Sequence, residues 1–181
     1  MKSEAIGSVT PRVAAELAAA LRSHEGPILI TGPSPDPGAE AIRTEMEALA
    51  RSRPRTVYVE SLGGPRYRGL LGAVGAMVGN SSSGLIEASC VPLPVVNVGD
   101  RQRGRERGAN VVDAPAERAA IAAALRHALS SAFRAEIAGR ESPYGDGQAA
   151  RRVVEVLASL PDRHRLLRKS FHTASPALEP A

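Results

Sequence analysis

The stretch NSSSGLIE, residues 80–87, sets three hydroxyls and a glycine ahead of a single carboxylate. Where such a segment opens a helix, the first backbone N–H groups lack intrahelical partners and the macrodipole adds partial positive charge, so an anion is favoured there. Ser81, Ser82, Ser83 and Gly84 then read as a cradle for a phosphate, with the helix starting near Ser83 or Gly84. Glu87 falls about one turn further on, where a carboxylate can accept hydrogen bonds from a ribose diol. A plainer reading stands beside this one: serine is a good helix cap, and a first-turn glutamate is stabilising without any ligand.

The second constellation is DRQRGRER, residues 100–107, in which Arg101, Arg103, Arg105 and Arg107 alternate with other residues. Arginine forks pair bidentately with phosphate oxygens. The usual alternative is a solvated charged loop, with Asp100 and Glu106 as partners for the arginines. Elsewhere the chemistry is sparse. His24, His127, His164 and His172 show no metal-ligand spacing, and Cys90 reads as a small core residue of a helix through LIEAS. No nucleophile elbow, P-loop or dinucleotide fingerprint is present. No catalytic residue and no metal ligand is assigned.

These loops need elements to hold them, and the chain reads as alternating strands and helices. Thr10-Pro11 opens a helix over the following alanines and leucines. PILITG (27–32), TVYVE (56–60), AMVGN (76–80), PVVNVGD (94–100) and NVVDA (110–114) read as strands. Helices are predicted over 39–52, from 65, from 84, over 116–132 and over 148–160. The alternation implies a mostly parallel, Rossmann-like sheet with helices on both faces, in which ligands bind at the carboxyl ends of strands. The loops at 32–38, 60–66, 79–84 and 99–108 all follow strands.

Bulk properties narrow the class. A chain of 181 residues with 43% apolar residues is long enough for one domain with a sizeable core. A domain over 1–160 and a basic, fraying tail over 161–181 are expected. The net charge of +4 comes from arginine, with lysine only at Lys2 and Lys169. Five aromatics, three Tyr and two Phe, are too few for a stacking surface, so nucleic acid is not the expected partner. With no membrane-length apolar run, no signal peptide and one cysteine, a cytoplasmic protein without a membrane partner is expected.

GNSSSGLIEA, VVNVGDRQRGRERGANVVD and SPYGDGQAARRVVEVL together resemble the carboxyl-terminal domain of the hydrolysing UDP-N-acetylglucosamine 2-epimerases, over residues 27–172 or so. That family includes bacterial enzymes of sialic-acid and related nonulosonic-acid synthesis. The resemblance implies one half of a two-domain glycosyltransferase-B architecture, with UDP-sugar in the cleft between the halves. It implies that Ser81 and Ser82, with Ser83 and Gly84 beside them, hold the diphosphate. Glu87 would hold the ribose, and Arg101 would reach the UDP from the neighbouring loop. The backbone at Ser61 and Leu62 would lie against the uracil. Ser34 stands where the family has an asparagine near the ligand. The family reaction removes UDP from C1 with loss of the C2 proton, and water then adds to give the free 2-epimer plus UDP. No redox or metal cofactor is implied.

The family's amino-terminal half, with its catalytic carboxylates, has no counterpart in the sequence. Nor has the strand with a His-Pro motif that opens the carboxyl-terminal domain, because residues 1–9, MKSEAIGSV, hold no histidine. That strand is central in the sheet order, so either AIGSV (5–9) substitutes for it or the sheet loses its middle. The expectation is a chain that binds UDP or a UDP-sugar but is inactive alone. A separate amino-terminal half is its expected partner, and self-association would cover the apolar face left open. The alternative is a non-catalytic nucleotide-sugar-binding module.

Overall fold

A computed structural model describes residues 11–168, and the chain divides into two compact units, residues 1–144 and 145–181. The expected boundary after residue 160 therefore falls inside the second unit.

In the first unit, proline at the opening position starts α1 (Pro11–Arg22), on which Ala14, Ala18 and Leu21 recur at helical spacing and are buried. Thr10, expected as its cap, lies outside the described residues, as does the segment 5–9. Then follow β1 (Ile28–Thr31), α2 (Ala39–Ser52), β2 (Thr56–Val59), α3 (Gly63–Leu71) and β3 (Met77–Gly79). Two 3-10 turns, Ser82–Gly84 and Ala88–Cys90, lead into β4 (Val95–Val98), β5 (Val111–Ala114), α4 (Arg118–Ala128) and α5 (Ser131–Ile137).

All strand pairs are parallel, as the alternation predicts. They form two sheets rather than one: β1 with β2, and β3-β4-β5 in that order. Among the described residues no strand joins β1 to β3, and α1 packs against both α2 and α4. Parallel neighbours cannot be joined by a tight turn. From β4 to β5 that crossover contains no helix, and the arginine-rich loop makes it instead.

The period of two along each strand sorts the core. Val96 and Val98 join Ala14, Ala18, Leu49, Ile121 and Leu125 in one buried cluster, which also receives Ile30 of β1. Val95 faces the other way, into a smaller cluster with Leu71, Ala88 and Leu93. All four residues of β4 are buried, so this sheet is covered on both faces. The two-stranded sheet is covered on one face only, because Leu29 and Val57 are 37% and 55% exposed. Each fully buried leucine or isoleucine here, such as Leu49, Leu85 or Ile121, contributes about 1.5–3 kcal/mol.

Three local expectations are corrected. The predicted helix over 116–132 is two helices, because the Ser130 hydroxyl accepts from the N–H of Phe133 and starts α5 afresh. The segment after Gly84 is not an α-helix. Two 3-10 turns stand there instead, and Val91 is already extended ahead of Pro92 and Pro94, which would not continue a helix. Cys90 ends the second of these turns and is exposed, not a core residue.

The second unit holds α6 (Ala149–Ala158) and α7 (Arg163–Leu167). The Asp162 carboxylate caps α7 by accepting from the N–H of His164 at 2.6 Å. Val153, Val154, Leu157 and Leu160 on and just after α6 are each at least 45% exposed.

Candidate functional site

The loops at the carboxyl ends of the strands meet through a few polar contacts. Arg101, in the loop after β4, donates from Nη1 to the Asn80 carbonyl at 3.2 Å, and its Nη2 lies 3.4 Å from Asp36 Oδ2. One guanidinium therefore spans from the serine turn after β3 to the loop after β1, which belongs to the other sheet. Beside it Gln102 is 2% exposed and donates to the same Asn80 carbonyl at 2.8 Å. The adjacency of the arginine loop and the serine loop expected from the sequence is observed.

The arginines diverge. Arg103 pairs with Asp100 at 3.4 Å on the surface. Arg107 folds back: its Nε lies 2.9 Å from Asp113 Oδ2, and its terminal nitrogens donate to the carbonyls of Arg105 and Gln102. Asp113 also accepts from the amide of Asn97, which is 1% exposed, at 2.6 Å. Arg107 thus holds its own loop against β5. The loop bounds a cavity of ≈ 360 Å³ lined by Gly99, Asp100, Arg103, Arg107 and Asp113 among others. Glu106 meets the arginines in no ion pair, but its carbonyl accepts from the Tyr144 hydroxyl at 2.7 Å. The solvated-loop reading fits Arg103 and fails for Arg101 and Arg107.

In the serine turn the three hydroxyls have different partners. Ser81 is extended, and its Oγ accepts from the N–H of Ser83 at 3.3 Å, which caps the 3-10 turn. Ser83 Oγ is in hydrogen bond with the Tyr67 hydroxyl. Among the described residues, Ser82 Oγ and the exposed Glu87 carboxylate have no protein partner. Gly84 is buried, and a Cβ there would stand 3.0 Å from Val95 Cγ1, so glycine lets the turn lie on β4. The helix-dipole part of the anion argument does not survive, because a single 3-10 turn sums too few peptide dipoles. What remains is hydroxyls, N–H groups and the neighbouring arginine.

Ser61 and Leu62 line a second cavity of ≈ 270 Å³ with Thr31, Gly32, Glu60, Gly63, Gly64 and Tyr67. Its floor is fixed by a close crossing: a Cβ on Gly32 would lie 2.7 Å from the Glu60 carbonyl oxygen. Glu60 accepts from Arg43 and from the Tyr58 hydroxyl, each at 2.7 Å. Burial, and then the Glu60 hydrogen bond, push the Tyr58 phenol pKa up. Ser34 is exposed, in the same loop as Asp36, and its carbonyl accepts the Asp36 N–H at 2.7 Å.

Arg101, Ser81, Ser82, Ser83 and Gly84 thus lie around Asn80, with the loop of Ser34 brought in through Asp36. Ser61 and Leu62 connect to them through Tyr67. Tyr67, Gln102 and Asp36 were not singled out from the sequence. The one available signal for Gln102 was an uncharged residue inside an arginine-rich loop. Among the described residues no group of three or more His, Cys, Asp or Glu can hold a metal ion.

The sequence profile described as UDP-N-acetylglucosamine 2-epimerase matches residues 6–158. The chain belongs to this family. It is 35% identical over 142 residues to the UDP-N,N'-diacetylbacillosamine 2-epimerase (hydrolyzing) of Legionella pneumophila, covering 78% of this chain and 36% of that relative. It is 29% identical over 129 residues to the polysialic acid biosynthesis protein P7 of Escherichia coli, covering 71% of this chain and 33% of that protein. The chain therefore spans about a third of the length of these relatives. A crystal structure of UDP-N-acetylglucosamine 2-epimerase superposes with a TM-score of 0.60 at 19% identity, covering 87% of this chain and 41% of that one. A second, from Listeria monocytogenes, superposes with a TM-score of 0.64 at 21% identity, over 88% and 43%. The expected family and the Rossmann-like, glycosyltransferase-B-type fold class hold. No helix among the described residues is long and apolar enough to cross a membrane.

Proposed function

We propose that this chain is the UDP-binding, carboxyl-terminal half of a hydrolysing UDP-sugar 2-epimerase, and that the catalytic groups come from an amino-terminal half. The full reaction converts a UDP-2-acetamido sugar and water into the free 2-epimer and UDP. The sugar is N-acetylglucosamine or a diacetamido relative. The observation that supports this reading is Arg101, whose guanidinium stands over the serine turn on the Asn80 carbonyl, with only an exposed carboxylate at 3.4 Å on its other side. A diphosphate entering beside Ser82 would exchange that long ion pair for bidentate contacts with the fork. Glu87 would accept from the ribose hydroxyls. Ser61 and Leu62 would present backbone to the uracil, and Ser34 would lie at the edge of the sugar.

Isothermal titration of the chain with UDP and with uridine, beside Glu87→Ala, tests the reading. Micromolar-to-millimolar UDP binding, weaker for uridine and weaker in the variant, is the expected result. UDP and uridine of equal affinity would remove the diphosphate from the account. Release of UDP from UDP-N-acetylglucosamine by the chain alone would contradict the assignment of catalysis to another half.

A further inference from the structure

We propose that Tyr67 is a positioning residue for the nucleotide site, dividing the three serines into two that hold the turn and one, Ser82, that meets the diphosphate. This rests on the UDP reading above and deepens it.

Tyr67 lies on α3, a helix that starts directly after the Ser61-Leu62 loop. Its ring packs on the cluster of Leu71, Leu93 and Val95, beneath the three-stranded sheet, and also walls the cavity that holds Ser61 and Leu62. Its hydroxyl reaches Ser83 Oγ and comes within 3.8 Å of Met77 Sδ. One side chain thus joins the loop after β2 to the turn after β3, elements of different sheets.

The consequence for the serines follows from their donors and acceptors. A serine hydroxyl has one proton and two lone pairs. Ser81 gives a lone pair to the N–H of Ser83, and the Ser83 hydroxyl is engaged in a hydrogen bond with the Tyr67 hydroxyl. Both contacts fix the turn. Ser82 lies between them with its hydroxyl uncommitted and its backbone held at either side. Preorganised in this way, Ser82 can donate to an anionic oxygen without first breaking a protein hydrogen bond. The phenol sets that geometry from outside the turn.

The test compares Tyr67→Phe, Ser82→Ala, Ser83→Ala and the Tyr67→Phe/Ser83→Ala double variant by titration with UDP and with uridine. Phenylalanine keeps the ring packing, so thermal unfolding of each variant serves as the control for fold. Loss of a neutral hydrogen bond implies about a threefold to tenfold weaker UDP affinity in Tyr67→Phe. Uridine affinity stays within about twofold, since no diphosphate is read. Ser83→Ala matches it, the double variant is no weaker than either single, and Ser82→Ala loses at least as much. UDP affinity unchanged in Tyr67→Phe, or additive losses in the double variant, would overturn the role of Tyr67. A wild-type chain that is folded and does not bind UDP would instead overturn the reading of the whole site.

Discussion

Arg101 and Asp36 stand 3.4 Å apart, one in the loop after β4 and the other in the loop after β1, and their ion pair crosses from one sheet to the other. At that distance, with Asp36 64% exposed, the pair contributes little to stability. In the proposed site its weight would fall on the ligand: Asp36 would compete with an incoming anion for the Arg101 fork and repel it. Asp36→Ala is therefore expected to bind UDP about threefold more tightly, and Arg101→Ala about tenfold or more weakly. Titration at two salt concentrations checks this. Weaker binding in Asp36→Ala would mean that the carboxylate positions the arginine for the ligand.

Arg107 stands as a structural arginine beside the proposed ligand-binding one, Arg101, in the same loop. It ties to Asp113 and to two carbonyls of its own loop, so Arg107→Ala is expected to lower stability while leaving UDP affinity unchanged. The pair is partly exposed and screened, which puts the loss near 1 kcal/mol. Urea denaturation and UDP titration of Arg101→Ala and Arg107→Ala should give opposite patterns.

Gly84 tests the packing of the serine turn on β4. A methyl group there would meet Val95 Cγ1 at 3.0 Å, in a buried position with Met77 close by. Gly84→Ala should cost about 1–3 kcal/mol by overpacking. A second substitution, Val95→Ala, makes room and should recover part of the loss in a double-mutant comparison.

Asp146 gives a pH signature in the second unit. The two Arg152 contacts at 2.8 and 2.6 Å, and then the Gln148 N–H, hold its carboxyl below the usual aspartate range. A carboxyl depressed on folding stabilises above its unfolded pKa, and that contribution is lost as pH falls through the folded value. Carbonyl NMR titration should place the Asp146 midpoint below that of an unpaired aspartate, and Arg152→Gln should move it back up.

Strands were legible because β-branched runs such as TVYV, and VVNV between Pro94 and Gly99, leave little choice of structure. Helix ends were less so: HALSSAF continues an apolar pattern, and only the Ser130 hydroxyl bond to Phe133 reveals a break. NSSSGLIE carries every sign of a helix start, yet the chain makes only two 3-10 turns before it extends at Val91, ahead of the prolines at 92 and 94. The site was legible as residue types but not as roles. Spacing alone made the four arginines equivalent, whereas tertiary contacts send Arg101 to Asn80, Arg107 to Asp113 and Arg103 to solvent. Tyr67 gave no sign at all, since a lone tyrosine on an amphipathic helix reads as core.

The most direct test of the central claim is a 15N-resolved amide spectrum of the chain recorded during addition of UDP. The account predicts saturable shifts confined to residues 34–38, 61–64, 80–87 and 101–102 with UDP, and with uridine no comparable shifts at residues 80–84 and 101–102, where the diphosphate is placed. Shifts centred instead on Arg103, Arg105 and the cavity below them, or spread evenly over the basic surface, would contradict it.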